Sequence, residues 1–347
     1  MTFFNQLSFP PPTFTEDNII DLSTKVYIIT DAVGDTGLRL AKLLYGLHAT
    51  VYIGSPSADM YAATVSIITH DYPSSQGALK PFIADFADLV AIKQAAEAFL
   101  RVEYRLDVLF LNNGVATISK ANKPEDVRNV DFGVDCLAPF LLTKLLYPLM
   151  NRVSTHFCHP NTSIRIVYIS SHLGRQTPGG ISLFSSGTSL SYLSSSLSSS
   201  YSYKELPDMP HHIQTRAGVY LLAHEFSVRH SSDPKIDEHG IASRNPTGVL
   251  HVCVDLGPAD SNAERYRPPS LRNLIIPMSK GSKYGVYTML YAGIAPGIQD
   301  GDFIVPYGRK GEAPEHVGTS KVVKDGQDRS VSARLYEWCE TQIGPFM

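Results

Sequence analysis

The chain has 347 residues, of which 43% are hydrophobic and 18% are charged. A chain of this length can bury one large α/β core, and two small domains are the weaker alternative. With 30 basic and 33 acidic side chains the formal net charge is −3. This balance gives no basic surface for nucleic acid or for an anionic membrane.

Cysteine usage and hydropathy predict the compartment. Cys136, Cys158, Cys253 and Cys339 are few and widely spaced, as expected for reduced thiols rather than a disulfide framework. Residues 1–17 lack the basic start and the long apolar run of a signal peptide. No stretch approaches the roughly 18–20 apolar residues of a membrane span. We therefore expect a soluble, cytoplasmic protein without membrane association.

Short β-branched and aromatic runs alternate with amphipathic helical runs along most of the chain. The predicted strands cover 25–30, 49–54, 79–84, 107–111, 164–170, 249–256 and 303–306. The predicted helices cover 38–47, 58–69, 87–101, 132–152, 212–229 and 282–292. Repeated βα units predict a Rossmann-like, doubly wound α/β fold with a parallel sheet of about seven strands. Ligands bind beyond the carboxyl ends of such strands.

Two segments interrupt this alternation. An insertion at 176–211, mostly serine from Ser185 to Ser202, has too few apolar side chains to offset chain entropy. A disordered surface insertion is the expectation, and a lid over a ligand is the alternative. The segment 257–281, rich in Pro and Arg, is a long connection that we expect to cover a pocket. We divide the chain into an N-terminal arm (1–21) and one domain (22–347).

Two carboxylates stand in the first strand-to-helix turn. The strand at 25–30 runs into Asp31-Ala-Val-Gly34-Asp35-Thr-Gly37 and then into a helix. In a dinucleotide-binding unit this turn presents bare backbone and helix-terminal N–H groups to a pyrophosphate. Glycine is wanted there because a side chain keeps the phosphate away from the backbone. Asp31 and Asp35 would meet a phosphate with both bulk and like charge, so we expect the turn to be closed.

Further motifs follow in order. Asn112-Asn-Gly114 ends the strand at 107–111, and Ile-Val-Tyr-Ile-Ser-Ser171 forms the strand at 164–170 and its end. Asp85 follows the third strand, and Pro-Phe-Leu-Leu-Thr-Lys-Leu-Leu begins at Pro139. In this order and spacing the chain resembles the short-chain dehydrogenase/reductases, particularly the long fungal members with a proline-rich N-terminal arm. The resemblance covers almost the whole chain.

In that family an Asn, a Ser, a Tyr and a Lys move a proton while a nicotinamide moves hydride. The resemblance implies that Ser171 keeps the serine, whereas Asp135 stands for the Asn, His212 for the Tyr and Arg216 for the Lys. Leu111 takes the place of the first Asn of the family's Asn-Asn-Ala-Gly motif. The segment after the second strand, 54–57, lacks the basic residue that often meets a 2′-phosphate.

The cofactor positions are interpreted as a vestigial loop. Its members are Asp31, Gly34, Asp35, Gly37, Asp85, Asn112 and Gly114. We expect no cofactor, and the alternative is NADP or NAD. The cluster His156-x-Cys158-His159 has metal-ligand residue types but no second cluster, so no metal site is predicted.

The expected function is a non-redox step on a carbonyl-bearing natural-product intermediate: isomerisation, dehydration or cyclisation. His212 would act as general acid/base, and Arg216 and Ser171 would stabilise an oxyanion. An NAD(P)-dependent oxidoreductase with an atypical site and a catalytically dead binding or assembly protein are the alternatives. The partner is a small-molecule substrate, and the resemblance implies a homodimer formed through the helix at 132–152.

Overall fold

The computed structural model describes residues 10–113, 132–156, 164–170, 209–230, 235–236, 242–243, 248–257, 282–312 and 331–347. Several sequence predictions concern residues outside these ranges. They are the insertion over 176–208, most of the segment 257–281, the Cys158-His159 part of the metal-like cluster, and the site positions Gly114 and Ser171.

The strands are short and mostly buried. They are numbered in chain order: β1 Val26–Ile29, β2 Thr50–Ser55, β3 Ala78–Ile83, β4 Val108–Leu111, β5 Ile164–Ser170, β6 Lys235–Ile236, β7 Ala242–Ser243, β8 Val249–Asp255, β9 Phe303–Val305 and β10 Arg309–Gly311. All residues of β1, β4 and β5 are buried, which explains why these strands read as continuous apolar runs.

Eight strands form one sheet in the order β10-β9-β8-β5-β4-β1-β2-β3. From β9 to β3 the neighbouring strands are parallel, and β10 pairs antiparallel with β9. β6 and β7 form a separate antiparallel pair. The order runs outward in both directions from β1 and β4, which is the doubly wound arrangement that the sequence predicted.

Helices cover both faces of this sheet. They are α1 Asp35–Gly46, α2 Ala58–Asp71, α3 Leu89–Val102, α4 Ala138–His156, α5 Met209–His230, α6 Ser282–Ile294 and α7 Val331–Ile343. One hydrophobic core joins α3, α4, α5 and α7 to the sheet, and the other joins α1, α2 and α6 to its opposite face. The fold is therefore a three-layer α/β domain with two cores, and the predicted fold class is confirmed.

The sequence prediction missed some elements. The strand β10 and the C-terminal helix α7 were not predicted, and the predicted seven strands are eight in the main sheet. Helix α1 begins at Asp35 rather than at 38, which places that carboxylate in the first helical turn. The predicted helix 132–152 contains a π-helical turn, Gly133–Leu137, before α4 begins.

One helical stretch, Gly133–Thr155, is long and apolar enough to cross a membrane by length and composition alone. The expectation that no such stretch exists was therefore too strong. Of its most apolar window 61% is buried inside the protein. Leu141, Leu142 and Met150 of this helix belong to the core beside β5, so the apolar composition is explained by packing.

Candidate functional site

The ligand crevice of a doubly wound sheet lies where the strand order reverses, beyond the carboxyl ends of the strands. Here that point lies between β1 and β4. Thr30 and Asp31 follow β1, and Asn112 and Asn113 follow β4. The Thr30 hydroxyl lies within hydrogen-bond distance of Asn113 Oδ1, and the Asn112 N–H donates to Thr30 Oγ1 over 2.8 Å. These bonds fix the two strand ends against each other at the floor of the crevice.

The glycine framework of the phosphate turn is retained. Gly34 is the N-cap of α1, and Gly37 lies in the first turn. A Cβ at Gly37 would lie 2.4 Å from the Asp31 carbonyl oxygen, closer than any side chain tolerates. A Cβ at Gly54, near the end of β2, would lie 2.5 Å from the Ile29 carbonyl oxygen. The backbone of the turn therefore packs as tightly as a nucleotide-binding turn requires.

Asp31 places its carboxylate over this turn. A Cβ at Gly34 would lie 3.3 Å from Asp31 Oδ2 and 3.5 Å from Oδ1, so the carboxylate lies beside the N-cap of α1. That position is where helix-terminal N–H groups would receive a phosphate. The backbone φ of Asp31 is 47°, in the left-handed region that favours glycine. Asp31 thus adopts a backbone conformation that favours glycine and places its carboxylate beside the N-cap of α1.

Asp35 is partly neutralised by a neighbour that the sequence reasoning overlooked. Arg39 Nε lies 3.0 Å from Asp35 Oδ1, one helical turn along α1, and the two side chains are 48% and 46% exposed. Asp31, Asp35 and Arg39 together give the turn a formal net charge of −1, because Arg39 offsets one of the two carboxylates. The i,i+4 spacing is visible in the sequence and would have revealed the pair.

A carboxylate follows β3, at the position where the family resemblance implies a contact with adenine. Asp85, exposed after β3, accepts a hydrogen bond from the Ala87 N–H at 2.9 Å. At the end of β2 the Ser55 hydroxyl donates to the Ser57 carbonyl at 2.7 Å, and residues 54–57 carry no basic side chain. The crevice thus carries one carboxylate after β3 and another, Asp31, beside the N-cap of α1.

The π-helical turn holds Asp135 at the opposite side of the crevice. Such turns are uncommon and recur at functional sites. The Asp135 side chain is fully buried, and its Oδ2 accepts from the Thr215 hydroxyl at 2.7 Å. Its Oδ1 lies 3.4 Å from Arg216 Nη2. Burial raises the pKa of Asp135, against the opposing effects of the Arg216 charge and the Thr215 hydrogen bond.

Arg216 is buried and joins two strand ends. Its Nη1 donates to the carbonyl oxygens of Asn113 and Ile169, each at 3.2 Å. Its own carbonyl oxygen accepts from the Ser170 hydroxyl at 2.8 Å. Within the described part of the chain, Arg216 Nε is buried without an acceptor. The guanidinium thus ties the ends of β4 and β5 to α5 and to Asp135.

The remaining predicted site residues are described only in part. Ser171 lies outside the described residues and directly follows Ser170, the last residue of β5. His212 is the fourth residue of α5, one turn before Arg216. The structure describes its backbone, while its side chain lies outside the described part. The structure brings Asp135 and Arg216 together. It adds Thr215, which nothing local marks, and Asn113, which lies inside the Asn112-Asn-Gly114 motif but was not singled out as a site residue.

Comparison with known proteins identifies the family. The short-chain dehydrogenase/reductase iacJ of Pestalotiopsis fici is 30% identical over 359 residues, covering 98% of this chain and 96% of that protein. A short-chain dehydrogenase/reductase of Phomopsis amygdali is 29% identical over 346 residues, covering 97% and 94%. No protein-family model matches the chain. The chain belongs to the short-chain dehydrogenase/reductases.

Solved structures share the fold. A short-chain oxidoreductase of Pseudomonas aeruginosa with bound NADPH and an atypical catalytic centre gives a TM-score of 0.56 at 18% identity, covering 83% of this chain and 97% of that one. The oxidoreductase yciK of E. coli gives a TM-score of 0.53 at 15% identity, covering 85% and 98%. At these identities the likeness shows the shared architecture.

Proposed function

We propose that this short-chain dehydrogenase/reductase catalyses a non-redox step without a nicotinamide. The reaction is an isomerisation, dehydration or cyclisation of a carbonyl-bearing natural-product intermediate. The observation that carries the proposal is the Asp31 carboxylate beside the N-cap of α1, where a pyrophosphate would bind. The substrate class follows from the resemblance to the long fungal members of the family.

Electrostatics give the size of this barrier. At about 4–5 Å and an effective dielectric constant of about 20, a carboxylate and a phosphate charge repel by roughly 3–4 kcal/mol. That energy corresponds to an affinity loss of roughly 10²–10³-fold. Asp35 adds less, because Arg39 is paired with it and both side chains are about half exposed. Asp31 is therefore the decisive residue at the turn.

We assign the catalytic roles to Ser171 after β5, to His212 and Arg216 in α5, and to Asp135 in the π-helical turn. His212 is the general acid/base, since an imidazole carries protons near neutral pH. Ser171 donates to the substrate oxygen. Arg216 places its positive charge under that oxygen, with Nη1 and Nη2 already engaged by protein oxygens. Asp135, with its raised pKa, can hold or release a proton at the base of the site.

A nicotinamide-dependent oxidoreductase is the second candidate. The retained Gly37 packing, the exposed Asp85 and the partial neutralisation of Asp35 by Arg39 favour it. It requires Asp31 to leave the turn when a dinucleotide arrives. The third alternative, a dead binding protein, would keep the pocket and lack turnover.

Calorimetric titration with NADP(H) and NAD(H) tests the proposal. We expect no binding to the native protein below about millimolar concentration, and a gain of at least about tenfold in Asp31→Gly. Asp85→Ala in the native background serves as a control that leaves the turn intact. A micromolar dissociation constant in the native protein would restore the oxidoreductase. Conversion of the precursor, followed by chromatography without added nicotinamide, then measures activity.

The proposal also covers the assembly and the compartment. We propose a cytoplasmic homodimer formed through α4, acting on a small molecule, with no nucleic acid, membrane or metal partner. Light scattering during size-exclusion chromatography tests the dimer. Substitution of a surface residue of α4 by a charged residue should give monomers. A monomeric native protein would contradict this part alone.

A further inference from the structure

A row of hydrogen-bonded side chains runs beneath the candidate site, between the sheet and the α4/α5 layer. The Tyr168 hydroxyl of β5 lies 2.9 Å from His251 Nδ1 of β8. His251 Nε2 lies 3.0 Å from His230 Nδ1, the last residue of α5. Tyr168 and His251 are buried, and His230 is only partly buried. The row therefore leads from the core to the protein surface.

Tyr168, at one end of the row, also lines a small cavity at the candidate site. This cavity of about 10 Å³ is lined by Tyr168, Asp135 and Asn113, among apolar neighbours. This volume is near the lower limit for one water molecule. Asn113 Nδ2 is buried without an acceptor in the described part of the chain. A water here would satisfy that donor and place a proton carrier between Asp135 and Tyr168.

The rings are held in place by stacking. The Phe226 ring lies 5.4 Å from the His251 ring at an interplanar angle of 9°, and Tyr147 lies 3.8 Å from His230. Burial lowers the pKa of His251 well below its usual range. Burial, with Lys144 and Arg229, lowers the pKa of His230 to about 4. Both imidazoles are thus neutral at neutral pH and can accept a proton on one nitrogen while releasing one from the other.

We propose that Tyr168, His251 and His230 form a proton conduit that connects Asp135 with solvent at the far end of α5. Asp135 passes a proton through the cavity water to Tyr168 Oη, and Tyr168 passes its own to His251 Nδ1. His251 releases the Nε2 proton to His230 Nδ1, and His230 releases its Nε2 proton to solvent. Tyr168, His251 and His230 each gain and lose one proton and end neutral, whereas Asp135 is left as a carboxylate beside Arg216 until the reaction returns a proton to it. The conduit rests on the proposed function of Asp135, and its residues act through Asp135 rather than on the substrate.

Turnover of isosteric variants tests the conduit. Tyr168→Phe removes only the hydroxyl and should lower kcat about tenfold or more, with KM nearly unchanged. His230→Ala should lower kcat similarly, and free imidazole should restore it. Tyr27→Phe removes a buried phenol hydroxyl from the opposite face of the sheet and should stay near the native rate. Native turnover by Tyr168→Phe, or a His230→Ala defect that imidazole does not relieve, would overturn the conduit.

Histidine-selective nitrogen NMR separates this inference from the reaction type. If the native protein turns over only with a nicotinamide, the proposed function fails, and the same variants are compared in that reaction. If the native protein shows no turnover, the nitrogen signals decide. The conduit requires that Asp135→Asn and Tyr168→Phe shift the ring-nitrogen signals of His251 and His230, while Tyr27→Phe does not. Signals unaffected by both variants would overturn it.

Discussion

Two acid–base pairs of the same chemical type lie on opposite sides of the crevice, in opposite surroundings. Asp35 and Arg39 pair on an exposed helix face, whereas the Asp135 and Arg216 side chains are 0% and 6% exposed. An exposed pair contributes roughly 0–1 kcal/mol, whereas removing one partner of a buried pair costs about 3–5 kcal/mol. A substitution that changes the charge at the phosphate turn should therefore alter ligand binding with little effect on the stability of the fold. The buried charges of Asp135 and Arg216, in contrast, contribute to the stability of the fold.

This contrast determines which single substitutions the fold tolerates. A single substitution can introduce a carboxylate into the phosphate turn, because solvent and Arg39 stabilise its charge. The Asp135–Arg216 pair cannot be altered one residue at a time without leaving a buried charge unpaired. Thr215 adds a hydrogen bond to the same carboxylate, and Asn113 and Ile169 supply carbonyl acceptors. Asp135, Arg216 and their hydrogen-bond partners therefore depend on one another.

The largest expected effect comes from breaking the buried pair. Arg216→Met removes the positive charge beside Asp135, which keeps its hydrogen bond from Thr215. It also removes the donor to the carbonyls of Asn113 and Ile169. The free energy of unfolding should fall by about 3–5 kcal/mol in urea titrations. The matched control, Arg39→Met on the exposed pair, should change it by less than about 1 kcal/mol. Equal effects in the two variants would remove the contrast.

Lowering the pH should destabilise the protein through its two interior histidines, His230 and His251. The folded-state pKa values of His251 and His230 are lowered, so below about pH 6.5 the unfolded chain binds protons that the folded chain does not. Stability is therefore lost as pH falls from about 6.5 towards 4. Buried His251 can supply up to roughly 1.4 kcal/mol per pH unit, and partly exposed His230 less because of solvent screening.

Asp300 acts in the opposite direction. Burial raises the pKa of Asp300 to about 6, so the folded chain takes up this proton before the unfolded chain does as pH falls. Asp300→Asn removes that offset and should steepen the acid loss of stability. His251→Gln should make the loss shallower. Urea titrations at several pH values measure both slopes, and identical slopes in the native protein and both variants would refute this account.

Much of the fold could be predicted because its signals are local. The apolar runs of β1, β4 and β5 and the βα spacing identify the doubly wound sheet. Helix α7 also carried a readable signal, since Ser332, Leu335, Tyr336 and Cys339 are buried at helical spacing. The short edge strand β10, of three residues, has no comparable pattern.

The candidate site was predictable only where the family resemblance marks it. The family resemblance singled out Asp135 and Arg216 by their positions, and the structure places the two side chains together. The hydrogen bond from Thr215 to Asp135 spans 80 residues of sequence. Likewise His230 and His251 read as isolated histidines in the sequence, and only the packing of α5 on β8 joins them. Contacts between distant segments depend on tertiary packing, which no local pattern encodes.

The smallest expected effect on stability, and the sharpest on binding, concerns Asp31. Asp31→Gly removes the carboxylate and suits the positive φ, so stability should stay equal or rise by about 1 kcal/mol. Asp31→Ala removes the charge and keeps the strained conformation. If charge is the barrier, both variants should bind NADP(H) more tightly than the native protein by at least about tenfold. If only Asp31→Gly gains affinity, backbone conformation closes the turn, and if neither does, the phosphate turn is not what excludes the dinucleotide.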